Sequence, residues 1–238
     1  MGCVYEMTWG RALVRSMRQY PDKIAVQDDR ASLTYRRFNE RVNRLAHAFQ
    51  GLGLTKGDRL ATLSGNCLEL MEVFLASLKI GVIPCPLDVR GILEDQATQT
   101  ALVKPRMLVF HPDLADRARE LVKTADLMIH TAVLGKAEAL LVTGTEAFIE
   151  QGSSEEPAVD VRGEDVAFIL FTGGTTGTPK GVMLTHLNLI WNAINVIAEN
   201  GSPSPGSRIY YPMQIYHSGA LSRFLASLYA GGTFIGTK

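Results

Sequence analysis

Segments with the apolar spacing of helices alternate along this sequence with short apolar runs that have the length of strands. A helix is predicted to begin at Tyr35 and to stop at Gly51-Leu52-Gly53, and the strand Arg59–Leu63 follows it. A second helix, over about Cys67–Ile80, is apolar on nearly all sides, so we expect it to be buried. Repeated strand–helix units are typical of a mostly parallel sheet covered by helices, and we therefore predict a layered α/β/α fold.

The alternation continues to the end of the chain. The next predicted elements are a strand over Val82–Cys85, a helix over Glu94–Leu102, a strand over Met107–Phe110, a helix over Leu114–Lys123 and a strand over Leu127–His130. Residues 150–165 are polar and contain Pro and Gly, which predicts a linker-like surface stretch. Beyond it we predict the strands Val166–Phe171 and Arg208–Tyr211, the helix Leu187–Glu199 and a last amphipathic helix near Ala220–Leu228. The apolar residues Val182–Leu184 precede the first of these helices. No internal repeat is visible in this order.

Charge and cysteine content exclude several classes of protein. The 238 residues contain 24 Lys plus Arg against 24 Asp plus Glu, so the basic excess of a nucleic-acid-binding protein is missing and no nucleic-acid partner is expected. The cysteines Cys3, Cys67 and Cys85 form no C-x-x-C pair and predict neither a zinc ribbon nor a disulfide framework. The start of the chain does not resemble a signal peptide, and no apolar run is long enough to span a bilayer. We therefore predict a cytoplasmic protein without an integral membrane segment.

The segment with the clearest chemistry runs from Phe171 to Gly181 and is rich in glycine and threonine. Glycines let backbone N–H groups turn towards an anion, and threonine hydroxyls donate hydrogen bonds to phosphate oxygens. Lys180 adds a flexible positive charge. The apolar strand before the loop is expected to hold it at a sheet edge, where α/β proteins bind their ligands. The residues therefore predict a phosphate-binding loop.

Two common nucleotide-binding motifs do not match this loop. Pro179 precedes Lys180 and Gly181 follows it, so the Gly-Lys-Ser/Thr of a Walker A motif is absent. The nearest approach to a dinucleotide-binding G-x-G-x-x-G is Gly51-Leu52-Gly53, but Lys56 stands at the last glycine position. The residues alone leave a flexible, solvated hairpin open as the alternative to phosphate binding.

The eleven residues from Phe171 to Gly181 resemble the phosphate loop of the adenylate-forming superfamily, which includes acyl-CoA synthetases, peptide synthetase adenylation domains and luciferases. Gly173 stands where serine is commonest, which removes one hydroxyl but keeps the backbone donors. Tyr211–Gly219 is similar to the Pro-x-x-x-x-His-x-x-Gly segment of the same superfamily, and Leu33–Tyr35 agrees with its N-terminal region. The resemblance runs from about residue 8 to the end of the chain and is greatest to acyl-CoA synthetases.

The resemblance implies an enzyme that activates a small carboxylate with ATP to an acyl-adenylate and then transfers the acyl group to coenzyme A. Mg²⁺ is implied as a second cofactor because it bridges phosphate oxygens and neutralises their charge. Catalytic roles are implied for Lys180 and for His217, which would border the carboxylate. Thr172 is implied to lie near Mg²⁺. The implied phosphate-binding residues are Thr172, Gly173, Gly174, Thr175, Thr176, Gly177, Thr178 and Lys180.

Several later motifs of the superfamily are missing after the His217 segment. We therefore expect residues 1–238 to be a partial N-terminal AMP-binding domain without its C-terminal domain, and to be inactive by itself. The alternatives are a non-catalytic phosphate- or nucleotide-binding half-domain and the adenylation domain of a peptide synthetase. A sheet edge left open by the truncation would allow a homodimer. The parent enzyme is expected to act in fatty acid metabolism or on a similar acid, but these residues do not identify the acid.

Some candidate residues also have ordinary structural interpretations. By itself, His217 is better explained by packing or by helix capping than by catalysis, and the surrounding motif brings the two interpretations level. His186 follows Thr185 at the start of a predicted helix, where capping is the expected role. Trp191 has helical spacing with Leu187 and predicts a core position rather than a platform for adenine.

Overall fold

The computed structural model describes residues 6–125, 129–137, 142–172 and 179–237. Its helices are α1 (Trp9–Gln19), α2 (Tyr35–Gly51), α3 (Leu68–Lys79), α4 (Leu93–Val103), α5 (Ala115–Thr124), α6 (Thr145–Gln151), α7 (His186–Asn200) and α8 (Ser218–Ala230). Its strands are β1 (Ile24–Gln27), β2 (Ser32–Thr34), β3 (Arg59–Leu63), β4 (Ile83–Pro86), β5 (Met107–Phe110), β6 (His130–Val133), β7 (Thr143–Gly144), β8 (Val166–Thr172), β9 (Lys180–Thr185), β10 (Arg208–Tyr210) and β11 (Thr233–Ile235).

The strands β3 to β7 form a five-stranded sheet in the order β4-β3-β5-β6-β7, and every neighbouring pair is parallel. Side chains of β5 alternate between the two faces of this sheet. Met107 and Val109 join the core that contains α3, whereas Leu108 and Phe110 join a second core with residues of α5. Helices therefore cover both faces of the sheet, which confirms the predicted α/β/α layering. The expected burial of α3 is also confirmed, because every residue of this helix except Glu69 is buried.

A second sheet, β10-β11-β1-β2, brings together strands from the first and last parts of the chain. β1 pairs in parallel with β11 and antiparallel with β2. The hydroxyl of buried Tyr35 donates to the carbonyl oxygen of Gly232 at 2.7 Å, which holds α2 against the turn before β11. The sequence patterns do not predict β1 or β2, because strands of three or four residues carry too little periodicity.

β8 and β9 pair only with each other in the described structure, in antiparallel register. This hairpin lies beside the edge strand β4, where Ile83 and Cys85 belong to a cluster that Val166 and Ile169 pack against. The residues 173–179 that join the two strands are too few for the crossover that parallel strands need, which takes roughly a dozen residues or more. The strand predicted to hold the loop is therefore the first arm of a hairpin beside the parallel sheet.

The predicted core position of Trp191 is wrong, because its side chain is 54% exposed. Apolar residues occur on most sides of α7, so spacing alone does not identify the buried face. Leu189, Ile190 and Ala193 form that face. Successive residues of a helix are rotated by about 100°, and Trp191 therefore points away from the core that contains Ile190.

The predicted capping role of His186 is also wrong. The cap of α7 is Thr185, whose hydroxyl accepts from the Asn188 N–H at 3.1 Å. His186 is fully buried, and its Nδ1 accepts from the backbone N–H of Trp9 at 3.2 Å. This bond joins the start of α7 to the start of α1. Burial lowers the pKa of His186 to about 4, so the imidazole is neutral at pH 7.

Residues 152–165, called the strap below, connect α6 to β8 without a helix or strand of their own. Glu156 of the strap lies 2.5 Å from the Nζ atom of buried Lys79 on α3. The side-chain amides of Asn39 and Asn43 on α2 donate to the same carboxylate at 2.6 and 3.0 Å. The strap is therefore fixed to two helices, although its sequence is polar.

Candidate functional site

The predicted phosphate loop is the connection between β8 and β9. Thr172 ends β8, Lys180 begins β9, and the two residues are partners in the strand register. Both are exposed, and neither side chain makes a hydrogen bond or ion pair in the part of the chain that the structure describes. The ammonium group of Lys180 is therefore exposed and has no partner among the described residues. The remaining predicted loop residues lie outside the described residues: Gly173, Gly174, Thr175, Thr176, Gly177 and Thr178.

The hairpin reaches the carboxyl end of the parallel sheet. Phe171 precedes Thr172 and packs on the hydrophobic cluster that contains Leu87, the residue after β4. Carboxyl ends of parallel strands meet at one edge of a sheet, so the segments after β3, β4 and β5 lie at this edge too. Thr172 and Lys180 therefore stand at the edge of the sheet where ligands are usually bound.

A cavity of about 310 Å³ opens at this edge. Asn66 follows β3, Arg90 follows β4 and His111 follows β5, and all three line the cavity. Gln214 and Tyr216 line its other side. β4 lies on one side of β3 and β5 lies on the other. The chain therefore reverses its direction across the sheet after β4, and the cavity lies at this reversal. Open α/β sheets bind their ligands at such points.

Asn66 holds the segment that leads to His217. The Oδ1 atom of Asn66 accepts from the Ile215 N–H at 2.8 Å, and its Nδ2 donates to the Met213 carbonyl at 3.1 Å. The backbone N–H of Asn66 donates to the side-chain Oε1 of Gln214 at 2.7 Å. Since Asn66 is only 2% exposed, water competes little for these bonds. The segment between β10 and α8 is thereby attached to the end of β3.

His217 stands immediately before α8 and is half-buried. Its Nε2 lies 3.4 Å from a guanidinium nitrogen of Arg90, and its ring lies 4.6 Å from the ring of Tyr216. Because a guanidinium group only donates hydrogen bonds, Nε2 is the acceptor in the contact with Arg90. The His217 side chain makes no capping hydrogen bond with α8. The histidine therefore belongs to the cavity edge, and its catalytic role stays a prediction.

Among the described residues, the charged side chains around the cavity are Arg90 and the carboxylates Asp88 and Asp113. Arg90 supplies a positive charge, and its backbone N–H donates to the Asp88 carboxylate at 2.8 Å, which shapes the turn after β4. Burial raises the pKa of Tyr216 to about 12, and the neighbouring Asp88 carboxylate acts in the same direction. The phenol of Tyr216 is therefore neutral at pH 7. Arg90 and the neutral phenol of Tyr216 can each donate a hydrogen bond to a carboxylate at this edge.

Two features are missing from the described part of the chain. Among the described residues, no group of three or more His, Cys, Asp or Glu side chains could hold a metal ion. Thr172 offers an exposed hydroxyl without a carboxylate cluster around it, and its contact with Mg²⁺ stays a prediction. None of the described helices is long and apolar enough to cross a membrane.

A family model described as AMP-binding enzyme matches residues 13–237. The chain belongs to this family. It is 33% identical over 230 residues to a feruloyl-CoA synthase of an Amycolatopsis species, and the match covers 93% of this chain and 42% of that protein. It is 29% identical over 203 residues to a long-chain-fatty-acid–CoA ligase of Mycobacterium tuberculosis, with coverages of 85% and 39%. The chain thus spans about two fifths of the length of the curated relatives it matches.

The fold of the AMP-binding enzyme family is also found by structural comparison. An anthranilate CoA ligase, solved in complex with anthranoyl-AMP, superposes with a TM-score of 0.91 at 18% sequence identity. The superposition covers 99% of this chain and 45% of the ligase. Membership of the family confirms the resemblance that the segments 171–181 and 211–219 indicate.

The sequence argument misses Asn66, Arg90 and Gln214 as residues of this cavity. A usable signal exists for the first two, because each is a polar residue that closely follows a predicted strand of a parallel sheet. Gln214 carries no such signal. Its position is determined by the hydrogen bond with Asn66, which is 148 residues away along the chain.

Proposed function

We propose that this chain provides the ATP- and carboxylate-binding part of an acid–thiol ligase of the acyl-CoA synthetase type. One observation carries the proposal, and it concerns the carboxyl edge of the parallel sheet. Thr172 and Lys180, which are paired in the strand register, lie on either side of the Gly- and Thr-rich loop at this edge. Arg90 contacts His217 at the same edge. Both reactants of the first step, a triphosphate and a carboxylate, are anions. Two cations at one edge are suited to hold them against their mutual repulsion.

In the first step a carboxylate oxygen of the acid attacks the α-phosphorus of ATP, and the bond to the β-phosphate breaks to release pyrophosphate. Lys180 and the loop hold the β- and γ-phosphates and offset the charge that develops on the leaving group. His217, held against Arg90, borders the carboxylate. Mg²⁺ would supply further charge neutralisation, with the Thr172 hydroxyl as its contact on this chain. In the second step the thiol of coenzyme A attacks the acyl carbonyl and AMP leaves.

The proposed acid has an apolar body. The relatives named above are a feruloyl-CoA synthase and a long-chain-fatty-acid–CoA ligase. The cavity beside His217 is lined in part by Val89 and Leu114, and these two side chains offer apolar contacts to such an acid. Fatty acid metabolism and a cytoplasmic location belong to the same proposal, and the homodimer through an open sheet edge stays a prediction.

The reaction is tested with the full-length gene product. ATP–pyrophosphate exchange is measured with ferulate, anthranilate and dodecanoate, with acetate as the acid that lacks an apolar body. Exchange that depends on one of the three larger acids is the expected result. No exchange with any acid would contradict the proposal, and ATP binding without exchange would favour the non-catalytic half-domain.

The loop assignment is tested on the 238-residue chain by titration with pyrophosphate. Lys180→Ala removes the exposed ammonium, and we expect at least about a fivefold loss of affinity, the effect of about 1 kcal/mol. Lys123→Ala on α5 is the matched control, because Lys123 is also exposed but lies in a different part of the fold. Equal affinities of the Lys180→Ala and Lys123→Ala chains would refute the assignment.

A further inference from the structure

A larger cavity, of about 710 Å³, lies between α1 and the strap. We call it the α1 groove. Val14 of α1 and Pro157, Val159 and Val161 of the strap give it apolar walls. Its volume is within the range of small-molecule pockets, roughly 300–1,000 Å³. Its described lining includes no residue of β8, of β9 or of the His217 segment, so we assign the proposed ligase reaction to the other cavity.

The α1 side of the groove is basic. Arg11, Arg15 and Arg18 are four and three residues apart, so they lie on one face of the helix, and all three line the groove. Arg11 pairs with Glu6 at 2.9 Å, and the guanidinium of Arg15 lies 4.0 Å from the ring centre of Tyr229. Arg18 is exposed and makes no hydrogen bond or ion pair with any residue that the structure describes. Its guanidinium is free to bind an anion.

Glu156 is the one acidic residue among the described residues that line the groove, and its charge is already balanced. Lys79 donates to Oε2 of Glu156 at 2.5 Å, and the amides of Asn39 and Asn43 donate to Oε1. Burial alone would raise the pKa of Glu156, but Lys79 and the two amides hold it below its usual range. The carboxylate is therefore ionised and compensated, and the charge left over in the groove is positive.

We propose that the α1 groove binds an amphipathic small-molecule anion, an apolar chain or ring that carries one carboxylate or phosphate group. The apolar body lies against Val14, Val159 and Val161, and the anionic group binds Arg18. An exposed ion pair contributes little by itself, and apolar walls do not select charge. Both parts of the ligand are therefore needed for binding.

The ligand class is tested by isothermal titration calorimetry on the 238-residue chain. Decanoate and decyl phosphate carry both parts, and they separate a preference for carboxylate from one for phosphate. Decanol lacks the charge and acetate lacks the apolar body. We expect decanoate or decyl phosphate to bind, acetate to bind at least about tenfold more weakly because it lacks the apolar body, and decanol to bind about fivefold more weakly because it lacks the ion pair. Acetate or decanol binding as tightly as the amphipaths would overturn the proposal.

The location is tested with two variants at exposed positions of the groove. Arg18→Gln removes the free charge and is expected to weaken decanoate binding about fivefold. Ala158→Trp fills the groove and is expected to abolish binding. Arg119→Gln on α5 removes an exposed arginine elsewhere and should bind decanoate as the parent chain does. Thermal melting by circular dichroism verifies that each variant is folded. Unchanged decanoate affinity in folded Ala158→Trp would place the ligand elsewhere and refute the inference.

Discussion

Asn66 and Ile215 are joined by a 2.8 Å hydrogen bond from the Ile215 N–H to the side-chain Oδ1 of Asn66. Both residues are buried, with 2% of Asn66 and 0% of Ile215 exposed. They are 149 residues apart, so the bond ties the end of β3 to the segment that carries His217. The position of His217 beside Arg90 at the cavity edge therefore depends on the Asn66 amide.

Asn66→Ala removes both side-chain hydrogen bonds and leaves the buried Ile215 N–H without its partner. A buried donor left unpaired costs about 1–3 kcal/mol, so we expect a loss of about 2 kcal/mol in the free energy of unfolding. Urea unfolding followed by circular dichroism measures it. Asn192→Ala at an exposed position of α7 is the control and should change stability by less than about 0.5 kcal/mol. Equal losses in the two variants would contradict the clamping role.

The parts of the fold that follow from the sequence are those with a local pattern. The all-round apolar character of α3 is visible in its own residues, and so is the Gly- and Thr-rich composition of the loop after β8. The contact of Asn66 with residues 213–215 has no local pattern, because nothing near Asn66 records which distant segment it meets. Trp191 shows the same limit, since an apolar spacing does not say which side of a helix the core lies on.

The pair Lys79–Glu156 is predicted to stabilise the strap. The Lys79 side chain is 2% exposed and the Glu156 side chain 45% exposed. Breaking a fully buried pair costs about 3–5 kcal/mol, but solvent screens Glu156, so we expect Glu156→Gln to lose about 1–2 kcal/mol. Glu155→Gln is the matched control next in sequence. Urea unfolding at pH 7 measures both, and a loss no larger than that of the control would show that the pair is dispensable.

The contribution of Glu156 to the free energy of unfolding is predicted to depend on pH. Its pKa is lower in the folded chain than the ordinary value of 4.5, because Lys79 and two amides favour the ionised form. The folded state therefore binds fewer protons, and the stabilisation is present above pH 4.5 and lost as the pH falls through the folded pKa. The stability difference between the parent chain and Glu156→Gln should shrink in acid. A difference that stays constant down to pH 3 would exclude this linkage.

Buried His186 is predicted to make the fold sensitive to mild acid. Its pKa is about 4 in the folded chain against an ordinary value of 6.5, so the unfolded state binds more protons between these values. Stability therefore falls as the pH decreases from about 6.5 towards 4, by about 2 kcal/mol at pH 5 for one such histidine. His186→Gln keeps an acceptor for the Trp9 N–H but does not titrate, so its stability should fall less between pH 7 and pH 5. An equal loss in the free energy of unfolding between pH 7 and pH 5 in the parent chain and in His186→Gln would contradict the role of His186 in the acid sensitivity.

Replacement of Gly152, at the start of the strap, by a residue with a Cβ atom is predicted to destabilise the fold. A Cβ atom added there would overlap with the backbone carbonyl oxygen of Arg44 on α2, which cannot move without distorting the helix. The Arg44 side chain also donates to the Gly152 carbonyl at 2.8 Å, so a shift of the strap would break that bond as well. Overpacking of this kind costs about 1–3 kcal/mol, and we expect Gly152→Ala to lower the free energy of unfolding by at least the upper part of that range.

Gly206→Ala is the control for this substitution. Nothing lies within 4 Å of a Cβ atom at Gly206, and Gly206 is not among the glycines with a positive φ angle. An alanine there removes conformational freedom from the unfolded chain and should be neutral or stabilising by up to about 1 kcal/mol. Urea unfolding of the two alanine variants separates steric overlap from a general effect of losing a glycine. Comparable stability in Gly152→Ala and Gly206→Ala would mean that the strap can move away from α2, and the anchoring by Lys79 and Glu156 would then not hold it in place.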